Sequence, residues 1–509
     1  MRGERGNQAG VADDYCSKPA LRPPAEVSPM SAPPLELERT DETTRTSQIS
    51  VVPLLRRLHF YAGVLIGPFL VVAAVTGMLY AFAPQIDDVL YGDKLWVEPA
   101  GTARPVSEQV AAAQASLPEG TVTAVQLFDD PEATTRVVFA APGLAEEYSK
   151  TVYVNPYTAQ VQGELTTWAG ATPAVTWLDQ LHRDLNLGPV GNLYSELAAS
   201  WLWVLSLVGL VLWIARRRTA KRRVRALLVP EKGAKGVRKT RSWHASLGVW
   251  ALVGALFLSA TGLTWSNYAG ENFSAVLVAL NAKAPALDTA LPGSTPAAPA
   301  AGEHSEHNGS AGSTEPVDAK TFDEVLAAGR GAGLDGPVEL APAAAGTAWS
   351  VAQTDQLWPI RQDKAAVDPA TGTVTARADF ADRPFLAKLS SLGIYAHMGL
   401  LFGLANQIAL LLLAATILAL IFFGYRMWWQ RRPTRADRSA PLGAAPKRGG
   451  WQQLPLWFVI PAPLVLIAVG IAMPLLGISL VAFLILDGVI GAVRARKSER
   501  TPVVAGQGD

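Results

Sequence analysis

The chain's most specific candidate chemistry lies in its six histidines. Its single cysteine, Cys16, leaves no disulfide framework, no cysteine-based zinc site and no cysteine-ligated iron–sulfur cluster. Four of the histidines recur in register with their neighbours. His59, Gly63, Thr76 and Gly77 reappear as His244, Gly248, Thr261 and Gly262, each 185 residues further on. His182, Gly188, Gly209, Trp213 and Arg217 reappear as His397, Gly403, Gly424, Trp428 and Arg432, each 215 residues further on. A twofold relation between two copies of one unit sets equivalent imidazoles opposite each other. Such a pair can hold one flat ligand, and imidazole nitrogen is a good axial ligand for haem iron. The glycines four residues after His59 and His244 lie on the same helical face, leaving a slim surface beside a flat ring system. Arg56, Arg57 and Arg241 stand beside the first pair and Arg183 beside the second, where they could pair with haem propionates.

These residues must be positioned by membrane helices. Half of the 509 residues are hydrophobic and the mean hydropathy is positive. A bilayer is crossed by about 20 apolar helical residues, and four stretches qualify: 58–83, 193–214, 245–268 and 398–425. A fifth block, 455–493, is long enough for a hairpin of two spans, 455–473 and 475–493, with Pro474 and Gly477 at its turn. Glu196 and Asp487 fall inside apolar spans, where an acid is either functional or snorkels to the interface. The loop 215–243 is strongly basic, with twelve Lys or Arg and one acid over "ARRRTAKRRVRALLVPEKGAKGVRKTR". The region after the first span is acidic instead. The positive-inside rule then places both termini and the 215–243 loop in the cytoplasm and the regions 84–190 and 269–392 outside. The basic runs abut span ends, so topology accounts for them and no nucleic-acid surface is implied. Residues 1–50 read as a disordered cytoplasmic tail without a cleavable signal, and 494–509 as a second tail. The expectation is a multi-pass protein of a bacterial cytoplasmic membrane, in contact with the lipid bilayer.

The outer regions are duplicated as well. "TVYVNPYTAQVQGEL" pairs with "KAAVDPATGTVTARA", each a strand, an Asn-Pro or Asp-Pro turn and a second strand. Each region opens on a helical pattern, "SEQVAAAQASL" or "TFDEVLAAGRGAG", followed by short alternating strands. The expected fold is an α-helical membrane protein with two small α+β extracytoplasmic domains, built as a duplicated helix–outer domain–helix unit with a C-terminal helical hairpin. A flexible linker, 285–317, interrupts the second outer domain and carries His304 and His307, which read either as solvated loop residues or as a loose metal site with no further ligand nearby. His59 and His244 fall near the inner face and His182 and His397 near the outer face, so two haems are expected, one at each depth. His182 stands eleven residues before its apolar span, with "GPVG" between, and is expected on a short separate helix.

"LH" ahead of "GLVLW", "WHASLG", "VNPYTAQV" and "VDPATGTV" together resemble the PepSY-associated transmembrane family, over about residues 50–432. Some members are inner-membrane ferric-siderophore reductases whose transmembrane histidines hold haem b. The resemblance implies PepSY-like outer domains, haem ligation by His59, His182, His244 and His397, and reduction of a ferric siderophore or other ferric complex outside. The electron donor would be a quinol or a cytoplasmic reductase, since no nucleotide-binding fingerprint is visible. Trp168, Trp177, Tyr194, Trp265 and Tyr268 form either a substrate lining or an interfacial belt. The alternative is a membrane-anchored PepSY binding or regulatory protein of the envelope with no redox activity. A permease is disfavoured, because no interrupted helix pair or buried charge pair is evident.

Overall fold

A computed structural model describes residues 51–145, 147–217, 223–291, 317–344, 346–431 and 456–499. The N-terminal tail, His304 and His307, and most of the linker lie outside the described residues. The first unit runs α1 (Val52–Ala81), α2 (Ala83–Leu95), α3 (Val106–Ser116), β1 (Thr121–Leu127), β2 (Thr135–Ala140), β3 (Tyr148–Val154), β4 (Val161–Trp168), α4 (Pro173–Asp184) and α5 (Pro189–Arg217). A short α6 (Arg223–Leu228) follows. The second unit repeats the order: α7 (Gly236–Thr264), α8 (Asn267–Ala279), α9 (Ala319–Gly331), β5 (Val338–Ala341), β6 (Trp349–Gln353), β7 (Lys364–Val367), β8 (Val374–Ala378), α10 (Phe385–Met398) and α11 (Gly403–Gln430). The chain closes with α12 (Leu456–Val459), α13 (Ala462–Ala472) and α14 (Pro474–Glu499).

Four helices, α1, α5, α7 and α11, are long and apolar enough to cross a membrane. At the ends toward the basic loop all four extend past the apolar cores read from sequence, because their polar ends continue the helix. At the other end α1 and α7 stop short, at Ala81 and Thr264, and the fourth begins at Gly403 rather than 398. Residues 385–398 form their own helix, stopped by Gly399 in the left-handed conformation at φ 83°. The C-terminal block also differs from expectation. α13 has 11 residues, about 16 Å of helix and half a bilayer core. The longer α14 packs on α5 and reaches α1.

The two strand-bearing regions are joined. One antiparallel sheet of eight strands runs β4-β3-β2-β1-β5-β6-β7-β8, and the two halves meet at β1 and β5. There Val125 pairs with Leu340, Gln126 with Glu339 and Leu127 with Val338. The expectation of two small separate domains is corrected to a single sheet. An unpaired β1 or β5 would be an exposed edge, and pairing them removes both edges. One continuous core supports the join: Val110, Val125, Phe139 and Val152 of the first half with Phe322, Val325, Leu340 and Val351 of the second. The turns behave as read. Asn155 Oδ1 accepts the backbone N–H of Tyr157 at 2.8 Å, and Asp368 Oδ1 that of Ala370 at 2.9 Å.

The opposite face of the sheet is polar and carries Gln126, Arg136, Tyr153 and Glu339, with α2 beside it. Burial pushes Asp87 of α2 up from the usual carboxylate range, against the Thr172 hydroxyl and the Arg136 charge. Burial pushes the Tyr153 phenol up to about 12.

Candidate functional site

The repeat brings the four histidines together in two pairs. The imidazoles of His59 on α1 and His244 on α7 have ring centroids 6.2 Å apart and planes 80° from parallel. Those of His182 on α4 and His397 on α10 lie 6.4 Å apart at 49°. Along α1, His59 and Thr76, which bonds His182, are separated by about 25 Å of helix. The pairs therefore sit at opposite ends of the bundle, one toward the basic loop and one toward the sheet.

The rings are seated against repeat-equivalent groups, with differences in fit between the repeats. His182 Nδ1 hydrogen-bonds the Thr76 hydroxyl at 2.9 Å, and His397 Nδ1 that of Thr261 at 2.5 Å. His244 Nδ1 donates to the Leu420 carbonyl at 2.9 Å. His59 Nδ1 is directed toward the equivalent carbonyl, that of Leu205, but makes no full hydrogen bond. Each imidazole also presses on a glycine of a neighbouring helix. A Cβ on Gly209 would stand 3.1 Å from His59 Cε1, and one on Gly77 3.0 Å from His182 Cε1. At Gly424 and Gly262 the distances to His244 and His397 are 3.8 and 4.0 Å. Gly63, the expected slim surface, has nothing within 4 Å of where a Cβ would lie, whereas Gly248 meets Leu420 at 3.7 Å.

Residues 56–431 match the family described as the PepSY-associated TM region. The chain belongs to that family. Its PepSY-associated region holds all four paired histidines and the whole sheet, while α12, α13 and α14 lie beyond it. A comparison with curated proteins finds no match.

Within the PepSY-associated region the arginines diverge. Arg57 is buried and paired to Asp487 of α14 at 2.9 Å, yet its Nε and Nη1 have no partner. The expected absence of a buried charge pair is thereby corrected: the partners are 430 residues apart, so their pairing could not be read from spacing. Arg183 lies 3.6 Å from Asp179 and over the Trp168 ring at 5.2 Å, with its Nε buried and unpartnered. Arg56 is exposed, and Arg241 stands among Arg216, Arg431 and Arg238. Glu196 is fully engaged. Its two oxygens accept the N–H groups of Tyr268 and Ala269 at 3.1 Å each, satisfying the first turn of α8. Of the aromatics, the Trp265 ring lies 6.2 Å from that of His397, Tyr194 donates to the Phe69 carbonyl at 2.7 Å, and Trp177 is exposed.

Chemically, two imidazoles bound to one metal from opposite sides, with bonds of about 2 Å, hold their centroids roughly 6 to 6.5 Å apart. Both pairs have that spacing. Among the described residues no group of three or more His, Cys, Asp or Glu is gathered that could hold a metal ion. Each pair would offer a metal two imidazole nitrogens and no further side-chain donor, a set that suits a metal whose other ligands come from a macrocycle. The open space at Gly63 and the unpartnered donors of Arg57 and Arg183 fit a flat ligand with acidic side groups. Sequence reading missed the roles of Gly209, Gly424, Leu420 and the two threonines. Their signal was the recurrence of Thr76-Gly77 as Thr261-Gly262 and of Gly209 as Gly424.

Proposed function

We propose that this membrane protein is a dihaem transmembrane oxidoreductase. It passes electrons from the side of the basic loop, taken as cytoplasmic, to a ferric siderophore or other ferric complex at the side of the sheet, taken as outside. The observation that carries this reading is the pair of imidazole–imidazole spacings, 6.2 and 6.4 Å, at repeat-equivalent positions. Haem b, when bound, supplies one-electron chemistry that no side chain here offers.

The chain's own residues orient and enclose. His59 and His244 would hold the haem near the basic loop, and His182 and His397 the haem near the sheet. Thr76 and Thr261 engage Nδ1 of the latter pair and leave Nε2 for the metal, as Leu420 does for His244. Arg57 and Arg183 offer buried N–H donors to propionates, with Asp487 steadying Arg57. The aliphatic faces of α1, α5, α7 and α11 exclude water between the two levels. At the sheet, ferric iron would gain one electron and become ferrous, whose lower charge binds hard oxygen donors less strongly, which is how reduction frees a siderophore-bound metal.

The test is a visible spectrum of detergent-purified protein, oxidised and dithionite-reduced, with a pyridine haemochrome assay. The expected result is two b-type haems per chain, falling to about one in His59→Ala and in His397→Ala. Colourless protein from haem-supplied cells would overturn the reading and direct attention to what the sheet binds.

A further inference from the structure

The two repeats differ at the basic-loop end of their helix pairs. Between α7 and α11 lies a cavity of about 370 Å³, lined by Lys239, Thr240 and Trp243 of α7 and by Phe423, Arg426 and Gln430 of α11. The lining comes from one face of each helix, at spacings of three and four residues. The repeat offsets put Leu54, Leu55 and Leu58 of α1 and Val208, Val211 and Ala215 of α5 at the same positions, and every one is aliphatic. The C-terminal hairpin lies against the α1/α5 pair: Trp201 donates to the Ser479 hydroxyl at 3.0 Å, the Tyr61 and Phe483 rings are 5.9 Å apart, and Arg57 pairs with Asp487. Among the described residues α14 makes no comparable packing with α7 or α11.

Among the described residues the second-repeat groove is therefore uncovered, and it carries cationic and polar side chains where its counterpart carries only aliphatic ones. Lys239 and Arg426 are exposed, and among the described residues neither side chain makes an ion pair or hydrogen bond. The charge around them has the same sign: Arg241 stands among Arg216, Arg431 and Arg238. The acid in that group, Glu231, is already paired with Arg217 and Arg238. Thr240 donates to Gln430 at 3.1 Å and ties the two helices together beside the cavity. Trp243 is half-exposed and Phe423 lies deeper along the span, the placement of aromatic rings at a lipid–water interface. Basic pockets between helices at a membrane surface recognise anionic head groups.

We propose that the α7/α11 cavity binds one anionic phospholipid, its phosphodiester between Lys239 and Arg426 and its acyl chains against Trp243 and Phe423. The site depends on the membrane spans alone and is independent of haem. It is tested by native mass spectrometry of the full-length protein in mild detergent, titrated with phosphatidylglycerol or phosphatidylcholine of matched chains. The wild type retains one phosphatidylglycerol with about tenfold preference over phosphatidylcholine. Lys239→Leu with Arg426→Val, which installs the residues of the first repeat, abolishes that preference, and Lys239→Arg preserves it. Arg426→Gln, a milder change at the exposed rim, weakens it and serves if the double variant does not fold. Equal binding of the two lipids overturns the proposal, as does an unchanged preference in the folded variants. Displacement of phosphatidylglycerol by glycerol 3-phosphate also overturns it, by showing a site for soluble phosphate.

Discussion

Gly209 and Gly77 carry the tightest constraint on the imidazoles. A methyl group at either would crowd a histidine ring at 3.1 or 3.0 Å, whereas their counterparts Gly424 and Gly262 leave 3.8 and 4.0 Å. The repeats are therefore unequal in tolerance. Gly209→Ala and Gly77→Ala are expected to displace His59 and His182 and to cost about 1–3 kcal/mol of stability by overpacking. Gly424→Ala and Gly262→Ala should be close to neutral. Thermal unfolding in detergent checks the stability difference, and haem content per chain checks the displacement. Equal behaviour of the four variants would show that the rings are not held by these contacts. At this scale the sequence was informative about which residues recur, and silent about which touch. The recurrence of Gly209 as Gly424 was visible, but its contact with a histidine 150 residues away on another helix was not.

Glu196 governs an element rather than a reaction. Ser266 precedes α8 without a side-chain hydrogen bond to it, and the carboxylate of Glu196 on α5 supplies the missing acceptor to two N–H groups. Glu196→Gln keeps one good acceptor in place of two and is expected to cost about 1–3 kcal/mol. Glu271→Gln, on the exposed face of the same α8, should cost nothing measurable in the same denaturation experiment. The helices themselves were legible, because apolar length and basic flanks are local properties. So were the Asn155 and Asp368 turns, whose side chains bond their own backbone. The break between α10 and α11 was not. "FLAKLSSLGIYAHM" is apolar enough to merge with the span after it, and its stop combines the left-handed Gly399 with a long-range cap, the Asn406 side chain donating to the Ala396 carbonyl at 2.9 Å. The corresponding stop of α4 was legible because "GPVG" punctuates it; there the α5 helix approaches the end of α4 so closely that a Cβ on Gly191 would overlap the Asp184 carbonyl.

The whole molecule turns on the seam between β1 and β5, where Gln126 donates to Glu339 at 2.9 Å beside the point about which the two halves of the sheet are related. Burial pushes Glu339 above the usual carboxylate range, against the Gln126 hydrogen bond and the Lys364 charge. A carboxyl raised on folding stabilises the fold below its unfolded value, and that contribution is lost as pH rises through the folded value. Glu339→Gln keeps an acceptor for Gln126 and removes the titration. It is expected to make the protein at least as stable as the wild type at neutral pH and to flatten the decline in stability above about pH 4.5. Melting temperatures measured across pH 4 to 8 decide it; an unaltered slope would assign the dependence to another group. No local pattern announced this seam, since β1 and β5 look like any half-buried strand and their pairing joins residues more than two hundred positions apart. That separation also sets a schedule. Leu127 must wait for Val338, 211 residues later in synthesis, roughly 10–40 s at the usual pace of translation. For that interval the first half-sheet stands outside the finished fold with an open β1 edge, able to recruit the wrong strand. A protein assembled in this order needs its first four strands to be soluble alone, or attended, until the second half arrives.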